Sequence, residues 1–213
     1  ASALKKANDE KLTLLKSDKT LHIEKSKKLY AVFKGTEKPK FNRSDSKQSI
    51  FIVGMPRSGS TLVESIISMN PNIVDLGESN IFEETFFEWQ NLLKTNSEIE
   101  LEELYLSKVS KYAKNNQITT NKYLYNYQYA GIIAKLIKNA KIVYCYRNPL
   151  DNILSNYRAN FGRGSTYSSS IVDCTEVYLD HEKIMKEYKN KYQSKIYNLN
   201  YDLLVSDPNQ EIR

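Results

Sequence analysis

Residues 49–67 read SIFIVGMPRSGSTLVESII, and no other stretch limits the fold so strongly. Ile50, Phe51, Ile52 and Val53 make an apolar, β-branched run with the length and content of a strand buried on both faces. Gly54 ends that run where the chain must turn sharply. A helix follows at once, with Ser58, Gly59, Ser60 and Thr61 in its first turn. Leu62, Val63, Ile66, Ile67 and Met69 then recur at the three-to-four spacing of a face that packs back on a sheet. The expected fold is therefore α/β: a three-layer sandwich with a mainly parallel central sheet flanked by helices.

The same stretch has the makings of a phosphate cradle. Free N–H groups at a helix start, together with the helix dipole, attract an anion. Glycines let the backbone come close, Ser58, Ser60 and Thr61 add hydroxyls, and Arg57 supplies a fixed cationic fork suited to phosphate or sulfate. Gly54 to Thr61 fits the P-loop pattern G-x-x-x-x-G-K-[ST] except that Ser60 stands where the lysine belongs. A triphosphate hydrolase needs that lysine and a magnesium-holding acid, whereas here the charge comes from Arg57, three positions earlier. The loop alone does not choose between a kinase and another transferase.

A second informative stretch is KIVYCYRNPLDNILSNYRANFG, residues 141–162. Another buried strand, Ile142 to Tyr146, delivers Arg147 to its carboxyl end, where parallel sheets form their ligand crevice. Asn148 suits an N-cap, Pro149 the first helical position and Asp151 the reciprocal third position, so a helix is expected directly after the arginine. Ser155 lies two turns along it, and Arg147 and Ser155 could grip one phosphate from two sides.

Together the two stretches resemble the sulfotransferase superfamily, closest in wording to bacterial sulfotransferases that follow tetratricopeptide repeats and to tyrosylprotein sulfotransferases. The resemblance implies a donor, 3′-phosphoadenosine 5′-phosphosulfate, that leaves as adenosine 3′,5′-bisphosphate. It puts the 5′-phosphosulfate on the P-R-S-G-[ST]-T loop, here Pro56, Arg57, Ser58, Gly59, Ser60 and Thr61, and the 3′-phosphate on Arg147 and Ser155. It also gives Glu78, in IVDLGESN after an expected strand over 73–76, the place of a catalytic base. Lys122, in TTNKYLYN, takes the place of a lysine that steadies charge on the transferring sulfuryl group, a role shared with Arg57. The acceptor is a hydroxyl or an amine on a peptide, glycan or small molecule, unidentified from sequence. A P-loop nucleotide or metabolite kinase, and a nucleotide-binding module without turnover, are the alternatives.

The rest of the chain bounds this picture. Its 213 residues can bury a real core, and a net charge of +6 suits a polyanionic ligand. The lysines are spread along helices rather than gathered in a tract, so nucleic acid is not the expected partner. His22, His181, Cys145 and Cys174 lie far apart, so no metal site and no disulfide framework are expected. With no signal peptide or membrane-length apolar run, the expected compartment is cytoplasmic. Residues 1–45 read as one or two lysine-rich helices and a linker through Gly35, Pro39 and NRSDSKQS, a segment that in repeat-containing relatives would close an upstream helical array. Residues 46–213 form the expected catalytic domain, truncated at its C-terminal end, since only five residues follow Pro208. Helices are expected over 80–94, 101–114, 123–139 and 175–191, and a last strand over KIYNLNY. Tyr123, Tyr125, Tyr127 and Tyr129 are expected chiefly to pack.

Overall fold

The computed structural model describes residues 2–37, 39, 47–95, 98–113, 117–159, 161 and 163–212. Two helices, α1 (Ser2–Leu14) and α2 (Thr20–Gly35), precede β1 (Ser49–Gly54), α3 (Ser60–Ser68) and β2 (Ile73–Asp75). Helices α4 (Ile81–Lys94) and α5 (Leu101–Val109) lead to β3 (Ile118–Asn121). A 3₁₀ segment (Leu124–Tyr129) and α6 (Ala130–Leu136) lead to β4 (Ala140–Tyr146). After β4 come α7 (Pro149–Arg158), a 3₁₀ segment (Arg163–Ser169), α8 (Ile171–Lys191), β5 (Ile196–Asn200), α9 (Tyr201–Ser206) and α10 (Pro208–Glu211).

The five strands form one sheet in the order β2-β3-β1-β4-β5, and every pairing is parallel. β1 is central, with Ser49 in register with Thr119 of β3 and Ala140 of β4. The chain runs from β1 out to β2, returns through β3, then crosses to β4 and β5, so the connections diverge around β1. In an open parallel sheet that divergence creates the ligand crevice at the carboxyl ends of the strands.

Burial on both faces follows from alternation along the strands. Phe51 and Val53 of β1 and Ile142 and Tyr144 of β4 join a large core with Phe33 of α2, Phe82 of α4, Tyr105 of α5, Ile133 of α6 and Tyr188 of α8. Ile52, Cys145 and Leu199 face the other way, onto Val63 of α3 and Leu204 of α9. Helix α2 is also tied by polar contacts: Gln128 Nε2 donates to the His22 carbonyl (2.9 Å) and to Ser26 Oγ (3.0 Å). Lys135 Nζ donates to the Phe33 carbonyl (2.6 Å) and to that of Thr36. No helix among the described residues is long and apolar enough to cross a membrane.

Several expectations are corrected. The α3 stripe that meets the sheet is Val63, Ile66 and Ile67, whereas Leu62 and Met69 are exposed. Sequence reading missed β3, because Ile118–Asn121 is short and polar. Its polar side chains are satisfied inside the sheet: Thr119 Oγ1 shares a hydrogen bond with Ser49 Oγ (2.9 Å), and Asn121 Nδ2 donates to the Ser79 carbonyl (2.8 Å). The helix expected over 123–139 is a 3₁₀ segment followed by the short α6, anchored by Asn126 Nδ2 on Asn121 Oδ1 (2.7 Å) and by Gln128 on α2. The helix expected over 101–114 ends at Val109 and continues only as turns, with residue 114 outside the described residues. Residues 38 and 40–46 of the expected linker also lie outside them.

Candidate active site

β1 hands the chain to α3 through a loop whose backbone leaves little freedom. Gly54 lies so close to β4 that a Cβ there would stand 2.3 Å from the Cys145 carbonyl oxygen. Arg57 and Gly59 both adopt left-handed φ, +68° and +88°, and Arg57 is alone among the described non-glycine residues in doing so. An arginine there costs on the order of 1–3 kcal/mol, so its surroundings must hold it. Part of the hold is Asn152 and Asn156, buried one turn apart on α7, which both donate from Nδ2 to the Pro56 carbonyl (3.0 and 2.9 Å). Gly59 stands at the N-cap of α3, and no side chain caps that helix. Ser60 and Thr61 therefore open a helix whose first amide groups face the crevice. Ser58 turns the other way: it is buried and its Oγ has no hydrogen-bond partner.

From the end of β4, Arg147 reaches the same loop. Its Nη1 donates to the Arg57 carbonyl (3.4 Å), Nη2 lies 3.6 Å from Asp151 Oδ2, and the guanidinium sits over the Tyr201 ring at 5.2 Å. Arg57 Nε in turn donates to Ser155 Oγ (3.2 Å). Asn148 caps α7 as expected, accepting from Leu150 N (2.9 Å) and Asp151 N (3.3 Å). The expected reciprocal bond from Asp151 is absent, because the Asn148 amide donates to Asp202 Oδ2 (2.7 Å) and Asp151 pairs with Arg147.

A third group comes from the ends of β2 and β3. The Lys122 amide donates to the Gly77 carbonyl (3.0 Å), which fixes the two strand ends against each other. Lys122 Nζ lies 2.9 Å from Glu78 Oε1, 3.1 Å from Glu64 Oε2 and 3.5 Å from Thr61 Oγ1. Desolvation pulls the Lys122 ammonium down, but hydrogen bonds and charge from Glu78 and Glu64 outweigh it and leave the group above its usual 10.5. Burial raises Glu64 above the usual carboxylate range, against the pull of Lys122.

These groups line one cavity of about 500 Å³. Arg57, Gly59, Ser60, Thr61, Glu78, Lys122 and Arg147 are on its wall, together with Tyr123, Leu124, Tyr125, Phe161, Ser165 and Tyr201. Three cations face one wall carboxylate there. The Sulfotransferase family profile matches residues 49–213, a span that takes in β1, the loop, both arginines and Lys122. The chain belongs to the sulfotransferase family.

An uncharacterized protein of Aquifex aeolicus is 30% identical over 193 residues, covering 79% of this chain and 25% of that protein. The chain thus spans about a quarter of the length of the curated relative it matches. A crystal structure of a Mycobacterium tuberculosis sulfotransferase shares the fold, with a TM-score of 0.53 and 11% identity over 90% of this chain and 70% of that one. A shikimate kinase from Bacteroides thetaiotaomicron superposes with a TM-score of 0.45 and 16% identity over 78% of this chain and 93% of that one.

Of the residues picked out from sequence for this sulfotransferase-family site, Arg57, Gly59, Ser60, Thr61, Glu78, Lys122 and Arg147 come together on the cavity wall. Ser155 and Ser58 are not on that wall: Ser155 accepts from Arg57, and Ser58 is buried within the loop. Sequence reading missed Glu64, Tyr201, Asn152 and Asn156. Of these, only Asn152 and Asn156 carry a local signal, a four-residue spacing that puts two amides on one face of α7. The tyrosine run divides: Tyr127 and Tyr129 are buried in the core, while Tyr123 and Tyr125 are half-buried and line the cavity. Among the described residues no three His, Cys, Asp or Glu side chains are grouped to hold a metal ion.

Proposed function

We propose that residues 46–213 carry the catalytic domain of a sulfotransferase that moves a sulfuryl group from 3′-phosphoadenosine 5′-phosphosulfate to an acceptor hydroxyl or amine. The observation that carries this reading is the convergence of Arg57, Lys122 and Arg147, from three separate strand ends, on a cavity whose wall carboxylate is Glu78. A P-loop kinase concentrates its charge on a loop lysine and a metal, whereas here Ser60 replaces that lysine and the charge arrives from the sides.

The donor supplies a sulfuryl group on a stable leaving group, so the protein's work is placement and charge stabilisation. Arg57 and the amide groups at the start of α3, with Ser60 and Thr61, would hold the 5′-phosphosulfate. Arg147 and Ser155 would hold the 3′-phosphate. Ser155 Oγ accepts from Arg57 here, so that bond would be exchanged for one to phosphate. Lys122 would offset charge building on the sulfuryl oxygens. As the acceptor oxygen bonds to sulfur and the sulfur–oxygen bond to the 5′-phosphate breaks, the bisphosphate keeps the electron pair and Glu78 takes the acceptor's proton. The Glu78 side chain is 71% exposed, which leaves it accessible to an entering acceptor. Tyr123, Leu124, Tyr125 and Phe161 make the apolar side on which the acceptor would rest.

The test is thermal unfolding with adenosine 3′,5′-bisphosphate and, separately, with ATP and magnesium. Ligand at about one hundred times its dissociation constant adds roughly 2.7 kcal/mol, a shift of several degrees for a domain of this size. A shift with the bisphosphate alone is expected. A shift with ATP and magnesium alone would overturn the reading in favour of a kinase, and bisphosphate binding without transfer to any acceptor would leave a nucleotide-binding module.

A further inference from the structure

Glu64 is an odd residue for its place. It follows Val63 on α3, beside the apolar stripe that meets the sheet, and it is a carboxylate with its side chain only 12% exposed, where burial favours apolar groups. Its Oε1 is buried without a hydrogen-bond partner, and Oε2 lies 3.1 Å from Lys122 Nζ. The charge of Glu64 is therefore balanced at Lys122. Lys122 has a side chain only 7% exposed and two partners of opposite character: Glu64, which is buried, and Glu78, which is open to water.

On the sulfotransferase reading above, Glu78 loses its negative charge when it takes the acceptor's proton. An ammonium left in a desolvated site without a counter-ion is driven toward its neutral form or out of the site. We propose that Glu64 is a positioning residue, the permanent counter-ion that keeps Lys122 charged and directed into the cavity while Glu78 changes its protonation. The ionisable groups around Lys122 and Glu64 come from separate elements: Glu64 itself from α3, Asp75 from the end of β2, and Glu78 from the loop after β2. Burial raises Glu64 and Asp75 adds to the rise by like charge and a hydrogen bond, so the pull of Lys122 is the attraction that opposes them. Thr61, one turn before Glu64 on α3, carries its Oγ1 3.5 Å from Lys122 Nζ, so the helix that starts at the phosphate loop also aims the lysine.

The test compares Glu64→Gln with Glu78→Gln in the whole chain. Both variants and the parent are acylated with an amine reagent across a pH series, and the pH of half-reaction at Lys122 is read by peptide mass spectrometry. Removing the buried partner should lower that pH by about one unit or more, and removing the exposed partner by less, since water already screens Glu78. An unchanged value in Glu64→Gln, or a larger fall in Glu78→Gln, overturns the proposal. This arm needs neither nucleotide nor turnover, so it stands even if the sulfotransferase reading fails the bisphosphate test. In the second arm, Glu64→Gln should bind adenosine 3′,5′-bisphosphate within about threefold of the parent while single-turnover sulfuryl transfer falls about tenfold or more. A lower melting temperature with transfer unchanged would make Glu64 a structural residue only and refute the positioning role.

Discussion

Gly59→Ala is the substitution that most directly probes the loop between β1 and α3, because two independent costs meet at one atom. The first is conformational: Gly59 has φ +88°, and a non-glycine residue in that region costs about 1–2 kcal/mol. The second is steric. A Cβ at Gly59 would stand 1.9 Å from Tyr201 Cδ2 and 2.6 Å from Cε2, so the ring must move. That ring carries the Arg147 guanidinium at 5.2 Å, a contact worth about 0.5–1 kcal/mol at a site open to water. The sum is about 1.5–3 kcal/mol, and at roughly 2–4 °C per kcal/mol for a chain of this size the melting temperature should fall by about 3–12 °C.

Differential scanning calorimetry without ligand reads the whole cost, and titration with adenosine 3′,5′-bisphosphate reads the part that passes through Arg147, a loss of about two- to fivefold in affinity. Gly35→Ala is the matched control. It closes α2, a Cβ there meets nothing within 4 Å, and its φ lies outside the left-handed region. Adding Tyr201→Ala to Gly59→Ala should recover the steric part and leave the conformational part. If Gly59→Ala melts within about a degree of the parent and binds the bisphosphate equally well, the left-handed loop packed under Tyr201 is wrong.

Three further outcomes follow from other sites. Arg147→Ala should weaken adenosine 3′,5′-bisphosphate about ten- to one-hundredfold, the value of a charge-assisted contact, and adenosine 5′-monophosphate far less. Equal losses in calorimetric titration would sink the assignment of Arg147 to the 3′-phosphate. His181 is buried among Tyr127, Tyr144 and Tyr178 with neither ring nitrogen hydrogen-bonded, and burial, with the charge of Lys189, lowers it from 6.5 to about 3. The unfolded chain binds that proton first, so stability is lost as pH falls from 6.5 toward 3, about 2 kcal/mol of it by pH 5. Urea unfolding at about pH 7 and pH 5 should show a loss that His181→Leu reduces by that amount, and an identical loss in both proteins would refute it. Cys145 and Cys174 are buried and their thiols are pushed up to about 12, so neither should alkylate with iodoacetamide near pH 8 until the chain is unfolded.

How far the site was legible depends on the range of the interaction that makes each residue matter. The strand, the glycine loop and the start of α3 lie within one stretch of sequence, and local rules decide them: β-branched residues in the strand, glycine at Gly54 and Gly59, hydroxyls in the first helical turn. Arg147 was legible for the same reason, since Asn148 and Pro149 mark the strand-to-helix corner around it. β3 was not, because Thr119, Thr120 and Asn121 look like loop residues until Ser49, Asp75 and Asn126 supply their hydrogen bonds. Asn156 shows the same limit at longer range: its spacing from Asn152 is visible, but its partner, the Pro56 carbonyl, lies 100 residues away along the chain.

Glu64 marks the boundary between the two kinds of residue. In sequence it is one more glutamate on an amphipathic helix, and helical spacing even puts it near the solvent side between Leu62 and Ile66. In the structure the face of α3 that meets the sheet runs through Val63, Ile66 and Ile67, and Glu64 turns toward Lys122 at the end of β3. The same rotation leaves Leu62 on the cavity wall and Thr61 beside Lys122. On the proposed function a single helix would offer its first turn to the anion and its second turn to the lysine that neutralises it. Moving the apolar stripe by one position would separate those two functions, which is why Val63→Glu combined with Glu64→Val should abolish the Lys122 pairing even though composition and charge are unchanged.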